Sequence, residues 1–175
     1  KLKFKKNRRE GVNKANRSDL EIRIDNDFDT FWNNILIPNL SIKHDVLPLH
    51  SLLEIKRLAN LFPKNIQQVN VYRNGKIIAG STVFLTQTTI HPQYVSGNKE
   101  KNIFGSIDYL YDFLINQYCN DKYYFDFNTS SENDGVILNS GLLFWKEGCG
   151  ARTVVANNYE VNTNAFKTIK LQLKG

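Results

Sequence analysis

The spacing of apolar residues changes several times along the first third of the chain. Leu20–Ile24 alternates apolar and polar residues, which predicts a strand. Residues 28–36 place Phe, Trp and aliphatic side chains at i, i+3, i+4 spacing, which predicts a helix with Asp27 as its N-cap. Pro38 is expected to end or kink that helix. Residues 52–62 predict another helix.

The middle of the chain predicts an antiparallel meander of three strands. Val69–Tyr72 and Ile77–Leu85 flank Asn74-Gly75, a pair typical of a two-residue hairpin turn. A third strand is predicted over Ile90–Ser96. Residues 97–101 are polar and charged, and predict a loop.

The remainder predicts helix, strand, helix and strand. Residues 103–118 form an amphipathic helical pattern. The nearly all-apolar run 123–127 is typical of a central strand that is buried on both faces. A helix over 136–147, a last strand over 153–155 and a basic amphipathic tail over 162–175 complete the prediction.

The order of these elements predicts the fold class. Length 175 fits one domain, and strands with interleaved helices are best buried as a mixed sheet flanked by helices. Three meandering strands followed by helix, strand, helix and strand is the order of the GNAT (acyl-CoA N-acyltransferase-like) fold. We therefore expect an α/β (α+β) domain with a mixed, mostly antiparallel central sheet.

Positive charge is concentrated at the N-terminal end of the chain. The net charge is +6, and the predicted helix over 3–17 is strongly basic, with Glu10 as its single acid. Such a segment favours an anionic partner, namely RNA, a nucleotide sugar or a membrane surface, although it also suits a solvated helix face. No apolar run reaches the roughly 20 residues of a membrane-spanning helix.

Other features bear on the origin of the chain. No export signal is present and only two cysteines occur, so we expect a cytoplasmic protein with reduced thiols. The chain contains no methionine and begins with lysine, which suggests a part of a longer protein. No metal-ligand spacing surrounds the cysteines, and no metal site is predicted.

The first candidate site lies around Asp126. An acid within an apolar strand is costly unless it is paired, and a polar loop with Ser130 and Glu132 follows it. These residues predict a pocket in which Asp126 or Glu132 accepts a proton from an amine and Ser130 contacts the substrate. The alternative is that Asp126 caps a turn and Glu132 is solvated.

The second candidate is the segment from His91 to Ser96. In a regular strand His91 and Gln93 share one face, while Tyr94 and Ser96 share the other. His91 is a candidate general base, and the other three are candidate substrate-binding residues. A lone histidine is more often structural, so this alternative stays open.

The third candidate surrounds the last helix. Asn139 precedes it, and Lys146 and Arg152 bracket its glycine-rich end. All three are candidate substrate-binding residues. The two cations could hold an anion or satisfy the terminal carbonyls of the helix.

One expected motif is degenerate. GNAT enzymes that use acetyl-CoA carry a glycine-rich turn whose amides bind pyrophosphate at a helix N-terminus. Here the corresponding segment, 101–106, keeps only Gly105. This departure argues against ordinary CoA binding.

Motifs across nearly the whole chain carry a family resemblance. The most specific are Tyr124-Phe125-Asp126-Phe127 with Ser130, Glu132 and Gly135, then Gly141-Leu142, Lys146-Glu147-Gly148 and Gly150-Ala151-Arg152. The sequence resembles the C-terminal GNAT-like domain of the Fem-type (FemAB-like) aminoacyl/acyltransferases, particularly variants from bacterial surface-polysaccharide loci. It departs from their pattern at Asn128, where glycine is usual, and at Cys149, where an aromatic residue is usual.

The resemblance implies that residues 1–175 are one GNAT-like domain, the second of a tandem with an upstream GNAT-like domain. It implies transfer of an acyl or aminoacyl group, without a metal, to an amine of a cell-envelope precursor, either peptidoglycan or surface polysaccharide. Acetyl-CoA and aminoacyl-tRNA are the donors to consider. A CoA-dependent N-acetyltransferase and a non-catalytic domain that binds tRNA, a lipid-linked sugar or a partner domain remain as alternatives.

Overall fold

The computed structural model describes residues 3–118, 120–133, 135–155, 157 and 159–160. The tail expected over 162–175 lies outside the described residues. Within them, the helices are α1 (Lys6–Asn16), α2 (Phe28–Phe31), α3 (Ile37–His44), α4 (Leu52–Leu61), α5 (Lys101–Phe104), α6 (Ser106–Tyr118) and α7 (Ser140–Gly148). None of these helices is long and apolar enough to cross a membrane.

Within the part of the chain that the structure describes, five strands form the main sheet, in the order β1 (Leu20–Ile24), β2 (Ile66–Arg73), β3 (Lys76–Leu85), β4 (Thr89–Gly97) and β5 (Tyr124–Phe125). Neighbouring strands are antiparallel except β4 and β5, which are parallel. Two further strands, β6 (Ser131–Glu132) and β7 (Ile137–Leu138), form a separate antiparallel hairpin. The mixed, mostly antiparallel sheet confirms the expected fold class.

Helices cover both faces of the sheet and bury two apolar clusters. On one face α6 and the end of α1 pack on the strands, with Leu110, Leu114 and Ala15 fully buried. On the other face α2, α3 and α4 enclose Phe31 and Trp32, which are also fully buried. The sheet therefore forms the middle layer of a three-layer domain.

The helix after β1 does not stop at Pro38. Residues 28–44 are helical throughout, because a π-helical turn over Trp32–Leu36 joins α2 to α3. The Ile37 amide donates to the Trp32 carbonyl, five residues back. Proline has no amide hydrogen to donate, and the widened turn just before it accommodates that loss. Of the two outcomes expected at Pro38, a helix end or a kink, the helix end is wrong.

Among the described strands, the one expected to be central lies at the edge of the sheet. β5 has only two residues, and Tyr124 is 67% exposed. Residues 151–155 form neither helix nor strand, and Val154 and Val155 are exposed. The last strand expected over 153–155 is therefore also wrong.

Two helix boundaries differ from the sequence prediction. The helix expected from residue 136 begins at Ser140, because β7 pairs with β6 first and the Asn139 side chain then accepts a hydrogen bond from the Leu142 amide. The helix expected over 103–118 is divided at Gly105 (φ +66°), and α5 occupies part of the expected loop.

Two glycines allow α1 to cross the start of α6. A Cβ atom on Gly105 would overlap the carbonyl oxygen of Gly11, and one on Gly11 would overlap the Asp108 carboxylate. Gly105 also adopts a left-handed backbone conformation, which side chains disfavour. Close backbone contact at this crossing fixes α1 against α6.

We expect Gly105→Ala to lower the free energy of unfolding by about 3 kcal/mol, because it adds left-handed strain to a backbone clash. Gly75→Ala is the matched control, since Gly75 also has a positive φ (+72°) but open space around it, and should cost about 1 kcal/mol. Urea unfolding of both variants measures the difference. Equal losses would contradict the proposed close contact between α1 and α6.

Candidate active site

A gap opens where β4 and β5 separate. The two parallel strands pair at Thr89 with Tyr124 and at Ile90 with Phe125, and the Asp126 amide then donates to the Ile90 carbonyl at 2.8 Å. Beyond that bond β4 continues to Gly97, whereas the chain after β5 turns away. Parallel strands that diverge at their carboxyl ends leave a crevice, which is where α/β proteins bind ligands.

A cleft of about 760 Å³ lies beside the separated part of β4. Its walls come from α1, α3, the carboxyl end of β4, the start of α6 and α7, and include Asn39, Ser96, Tyr111, Trp145 and Lys146. Asn39 donates to Ser96 Oγ at 2.8 Å, so α3 and β4 are bonded at the wall. The volume suits a small molecule or the reactive end of a larger one.

A β-bulge at Gln93 changes which side chains share a face of β4. The pairing of β3 with β4 shifts there by one residue. His91 lies opposite Phe84 and Tyr94 contacts Trp32, and both partners belong to the cluster on the α2–α4 side. The expectation that His91 and Tyr94 lie on opposite faces is therefore wrong, because an extra residue reverses the alternation.

His91 and Asp126 form a pair at the point where β4 and β5 separate. His91 Nδ1 lies 2.9 Å from Asp126 Oδ2, and His91 Nε2 lies 2.6 Å from Gln93 Oε1. The other carboxylate oxygen of Asp126 accepts a hydrogen bond from the Asn128 amide at 2.7 Å. Asp126 thus orients the imidazole, as the carboxylate does in acid–base pairs.

Asp126 is more exposed than its place in an apolar run suggests. Its side chain is 50% exposed and that of His91 is 22% exposed. The exposure follows from the edge position of β5. The expectation of a buried acid is wrong, but the two residues that the sequence separates by 35 positions are in contact.

Lys146 connects the cleft to this pair. Its ammonium donates to the carbonyls of Asn128 at 3.0 Å and Thr129 at 2.5 Å, and the residue is 6% exposed. Burial lowers the pKa of Lys146 from its ordinary value, and the negative charge of Asp126 opposes this shift. Lys146 therefore satisfies loop carbonyls rather than the carbonyls of its own helix.

The remaining candidates lie around the β6–β7 hairpin and beyond α7. Asn139 Nδ2 donates to Glu132 Oε1 at 2.7 Å, and the Asn139 amide donates to the Ser130 carbonyl at 2.8 Å. Arg152 is exposed and donates to the neighbouring Ala151 carbonyl. Of the candidate site residues, Ser96 and Lys146 line the cleft. The other candidates are not among the described residues that line it; they are His91, Gln93, Tyr94, Asp126, Ser130, Glu132, Asn139 and Arg152.

Sequence reasoning missed a buried ion pair at the cleft wall. Arg8 Nη1 donates to Asp108 at 2.9 Å, and Trp145 Nε1 donates to the same carboxylate oxygen at 2.9 Å. Burial raises the pKa of Asp108, while the bonds from Trp145 and Arg8 act in the opposite direction. An acid among the apolar residues of the α6 pattern was the signal that could have indicated it.

Tyr111 is a second residue that the sequence did not single out. Its ring lies against Phe125, Phe127 and Trp145, with centroids 4.7–5.7 Å apart. Tyr111 is 5% exposed, and burial raises the pKa of its hydroxyl well above the ordinary value. This aromatic cluster forms the wall between α6, β5 and α7.

Some features of the N-terminus of α6 favour the binding of an anion there, and others oppose it. Ser106 Oγ is buried and has no hydrogen-bond partner among the described residues. The amides of Phe104 and Gly105, however, donate to the carbonyls of Glu100 and Lys101. α1 covers this end, and Asp108 places a carboxylate in the first turn of α6.

Solved structures similar to this chain are acetyltransferase-like. AAC(6')-Iy in complex with the bisubstrate analogue CoA-S-monomethyl-acetylneamine has a TM-score of 0.60 at 13% identity, over 83% of this chain and 99% of that one. A possible acetyltransferase from Clostridium difficile 630 has a TM-score of 0.58 at 17% identity, over 82% and 98%.

A third similar structure is the C-terminal domain (DUF2156) of a protein assigned as a lysylphosphatidylglycerol synthetase from Agrobacterium fabrum. Its TM-score is 0.54 at 12% identity, over 82% of this chain and 45% of that one. No family model and no curated protein sequence matches the chain. Together the structural likenesses show that the chain has the GNAT fold.

We expect the stability contributed by Asp108 to depend on pH. Its folded-state pKa lies above the ordinary 3.8, so folding favours the protonated carboxyl. The contribution is complete below the unfolded pKa and is lost as the pH rises through the higher folded value. Relative to Asp108→Asn, the wild type should therefore lose free energy of unfolding from about pH 3 upward.

Urea unfolding of the two proteins between pH 3 and 7 measures this difference. Asp121→Asn is the control, because Asp121 is exposed and should show no such trend. A wild type that gains stability relative to Asp108→Asn over this range would show that the bonds from Arg8 and Trp145 outweigh burial.

Proposed function

We propose that the chain is an acyltransferase domain that transfers an acyl group from an activated donor to an amine. The observation that carries this proposal is the His91–Asp126 pair at the point where β4 and β5 diverge, together with a cleft further along the carboxyl end of β4. A similar fold binds a bisubstrate analogue that joins CoA to an acetylated neamine.

The His91–Asp126 pair has a specific role in this proposal. An amine is protonated in neutral water and must lose a proton before its nitrogen attacks. In the proposed reaction His91, oriented by Asp126, accepts that proton, and the nitrogen lone pair forms a bond to the acyl carbon. The bond from carbon to the donor oxygen or sulfur then breaks, and the leaving group takes a proton.

We propose an aminoacyl ester, carried on tRNA, as the donor. The helix end that binds pyrophosphate in CoA-dependent relatives is covered by α1 here, and its first turn holds the buried Asp108 carboxylate. Asp108 also engages the Arg8 guanidinium, which is therefore not free to bind a diphosphate at that position. The exposed basic side chains of α1 and its flanks favour RNA instead; they are Lys3, Lys5, Lys6, Arg9, Lys14 and Arg17.

The acceptor proposal follows from the Fem-type resemblance. In this proposal the acceptor is an amine of a cell-envelope precursor, either peptidoglycan or surface polysaccharide, which approaches the partly exposed His91–Asp126 pair. In the same proposal Gln93, Tyr94, Ser96, Ser130 and Asn139 contact the substrate. A cytoplasmic location and an upstream GNAT-like domain belong to this proposal as well.

A CoA thioester is the second candidate donor. Ser106 Oγ is buried without a partner among the described residues at the start of α6, where a phosphate oxygen would accept its hydrogen bond. The cleft volume of about 760 Å³ also accommodates the pantetheine arm. α1 would have to move away from Gly105 for the diphosphate to reach the helix end.

The donor is tested by titrating acetyl-CoA into the protein in a calorimeter and by measuring filter binding of labelled aminoacyl-tRNA, with deacylated tRNA as the control. We expect no saturable heat from acetyl-CoA up to about 1 mM, and micromolar binding of the aminoacyl-tRNA pool, since α1 is basic while the diphosphate position is covered. Micromolar binding of acetyl-CoA alone would replace the aminoacyl donor with the thioester.

We expect Asp126→Asn to reduce kcat/KM for acyl transfer by about 10²–10⁴-fold, because His91 loses the carboxylate that orients it. Asp121→Asn is the control, since Asp121 is an exposed aspartate before β5. Transfer of a labelled acyl group to an amine acceptor measures the rate, and circular dichroism checks the fold. Full activity in Asp126→Asn would remove Asp126 from the mechanism.

A further inference from the structure

Lys146 is a buried cation without a carboxylate partner among the described residues. It is 6% exposed and takes part in none of the ion pairs of that part of the chain. Its ammonium instead donates to two consecutive carbonyls, those of Asn128 and Thr129. Burial of a charge that only carbonyl dipoles compensate is costly, and an apolar side chain of similar length would avoid that cost.

The two carbonyls belong to the turn that follows β5. Asn128 has a left-handed backbone (φ +63°) in this turn, and its amide faces the side chain two residues before it. That amide donates to Asp126 Oδ1 at 2.7 Å. Lys146 therefore holds the peptide groups on one side of the turn, while Asp126 is held on the other.

The turn determines which way the Asp126 carboxylate points. Asp126 is half-exposed, and its remaining contact is the 2.9 Å bond to His91 Nδ1. If the Asn128 amide moved, the carboxylate could rotate into solvent at little cost. A continuous series of hydrogen bonds therefore leads from Lys146 through Asn128 and Asp126 to His91.

We propose that Lys146 is a positioning residue, which holds Asp126 against His91 by fixing the Asn128–Thr129 turn and does not itself bind the donor. The expected effect of Lys146 on catalysis rests on the proposed acyl transfer. The expected effect of Lys146 on the His91 ring does not rest on it, because the surroundings of the imidazole would change whether or not the chain is an enzyme.

Two other roles make different predictions. A lysine that only ties α7 to the loop would affect stability and leave the His91 ring unchanged. A lysine that contacts an anionic donor would affect donor binding and also leave the ring unchanged in the free protein. The state of the His91 ring therefore separates positioning from both.

Lys146→Met removes the ammonium and keeps an apolar side chain, whereas Lys146→Arg keeps the charge and the donors. Lys122→Met is the matched control. Lys122 also donates to two consecutive carbonyls, Thr86 at 2.6 Å and Gln87 at 3.4 Å, but at the opposite end of β5. If Lys146→Met does not fold, Lys146→Gln replaces it, because an amide can donate to one of the two carbonyls.

The first readout is the nitrogen spectrum of the histidine side chains, measured by two-dimensional NMR on the free protein. We expect Lys146→Met to shift the His91 ring nitrogens toward the average of two tautomers, since the carboxylate no longer selects Nδ1–H. His50, which bonds to Tyr94, is the internal reference and should not change. Lys146→Arg and Lys122→Met should both keep the wild-type His91 signals.

The second readout is acyl transfer. We expect Lys146→Met to lower kcat by about 10- to 100-fold with KM for the donor unchanged, because geometry rather than binding is lost. Wild-type His91 signals in Lys146→Met would overturn the proposal, as would a rise in donor KM with kcat unchanged. If the wild type transfers no acyl group, the proposed function fails, and the NMR spectra still decide the role of Lys146.

Discussion

The hydrogen bonds to the buried Asp108 carboxylate hold together the helices that form one wall of the cleft. The carboxylate accepts hydrogen bonds from Arg8 on α1 and Trp145 on α7, while itself lying in the first turn of α6. Three helices distant in sequence thus meet at one charged group. If one helix moved away, the buried Asp108 carboxylate would lose a partner, which is costly. Each helix therefore restrains the other two where they meet at the wall of the cleft.

Much of the fold could be predicted from short sequence motifs. Asn74-Gly75 forms the tight turn between β2 and β3, and Ser51 starts α4 with the capping box that Glu54 completes. These features depend on residues a few positions apart. The position of β5 at the edge of the described sheet does not. An apolar run becomes central only when another strand pairs with its outer side, and 151–155 forms no such strand.

The candidate site was predictable in its residue types but not in its contacts. His91 and Asp126 were both candidates, yet only the parallel pairing of β4 with β5 brings them together. Lys146 was expected near an anion or at its own helix end, and its bonds to the Asn128 and Thr129 carbonyls depend on a left-handed turn that the sequence pattern does not reveal. Each of these contacts joins residues that are distant in sequence, so local sequence patterns could not predict it.

The bulge at Gln93 also affects how this domain can change during evolution. Deletion of one residue at the bulge would leave His91 and Tyr94 two positions apart, and two positions along a regular strand share a face, so Tyr94 and Ser96 would keep their side. That deletion would instead remove Gln93, whose side chain contacts His91 Nε2. Deletion from a regularly paired part of β4 would reverse the facing of every position on one side of the deletion. The bulge is thus the place where β4 can lose a residue without reversing its faces.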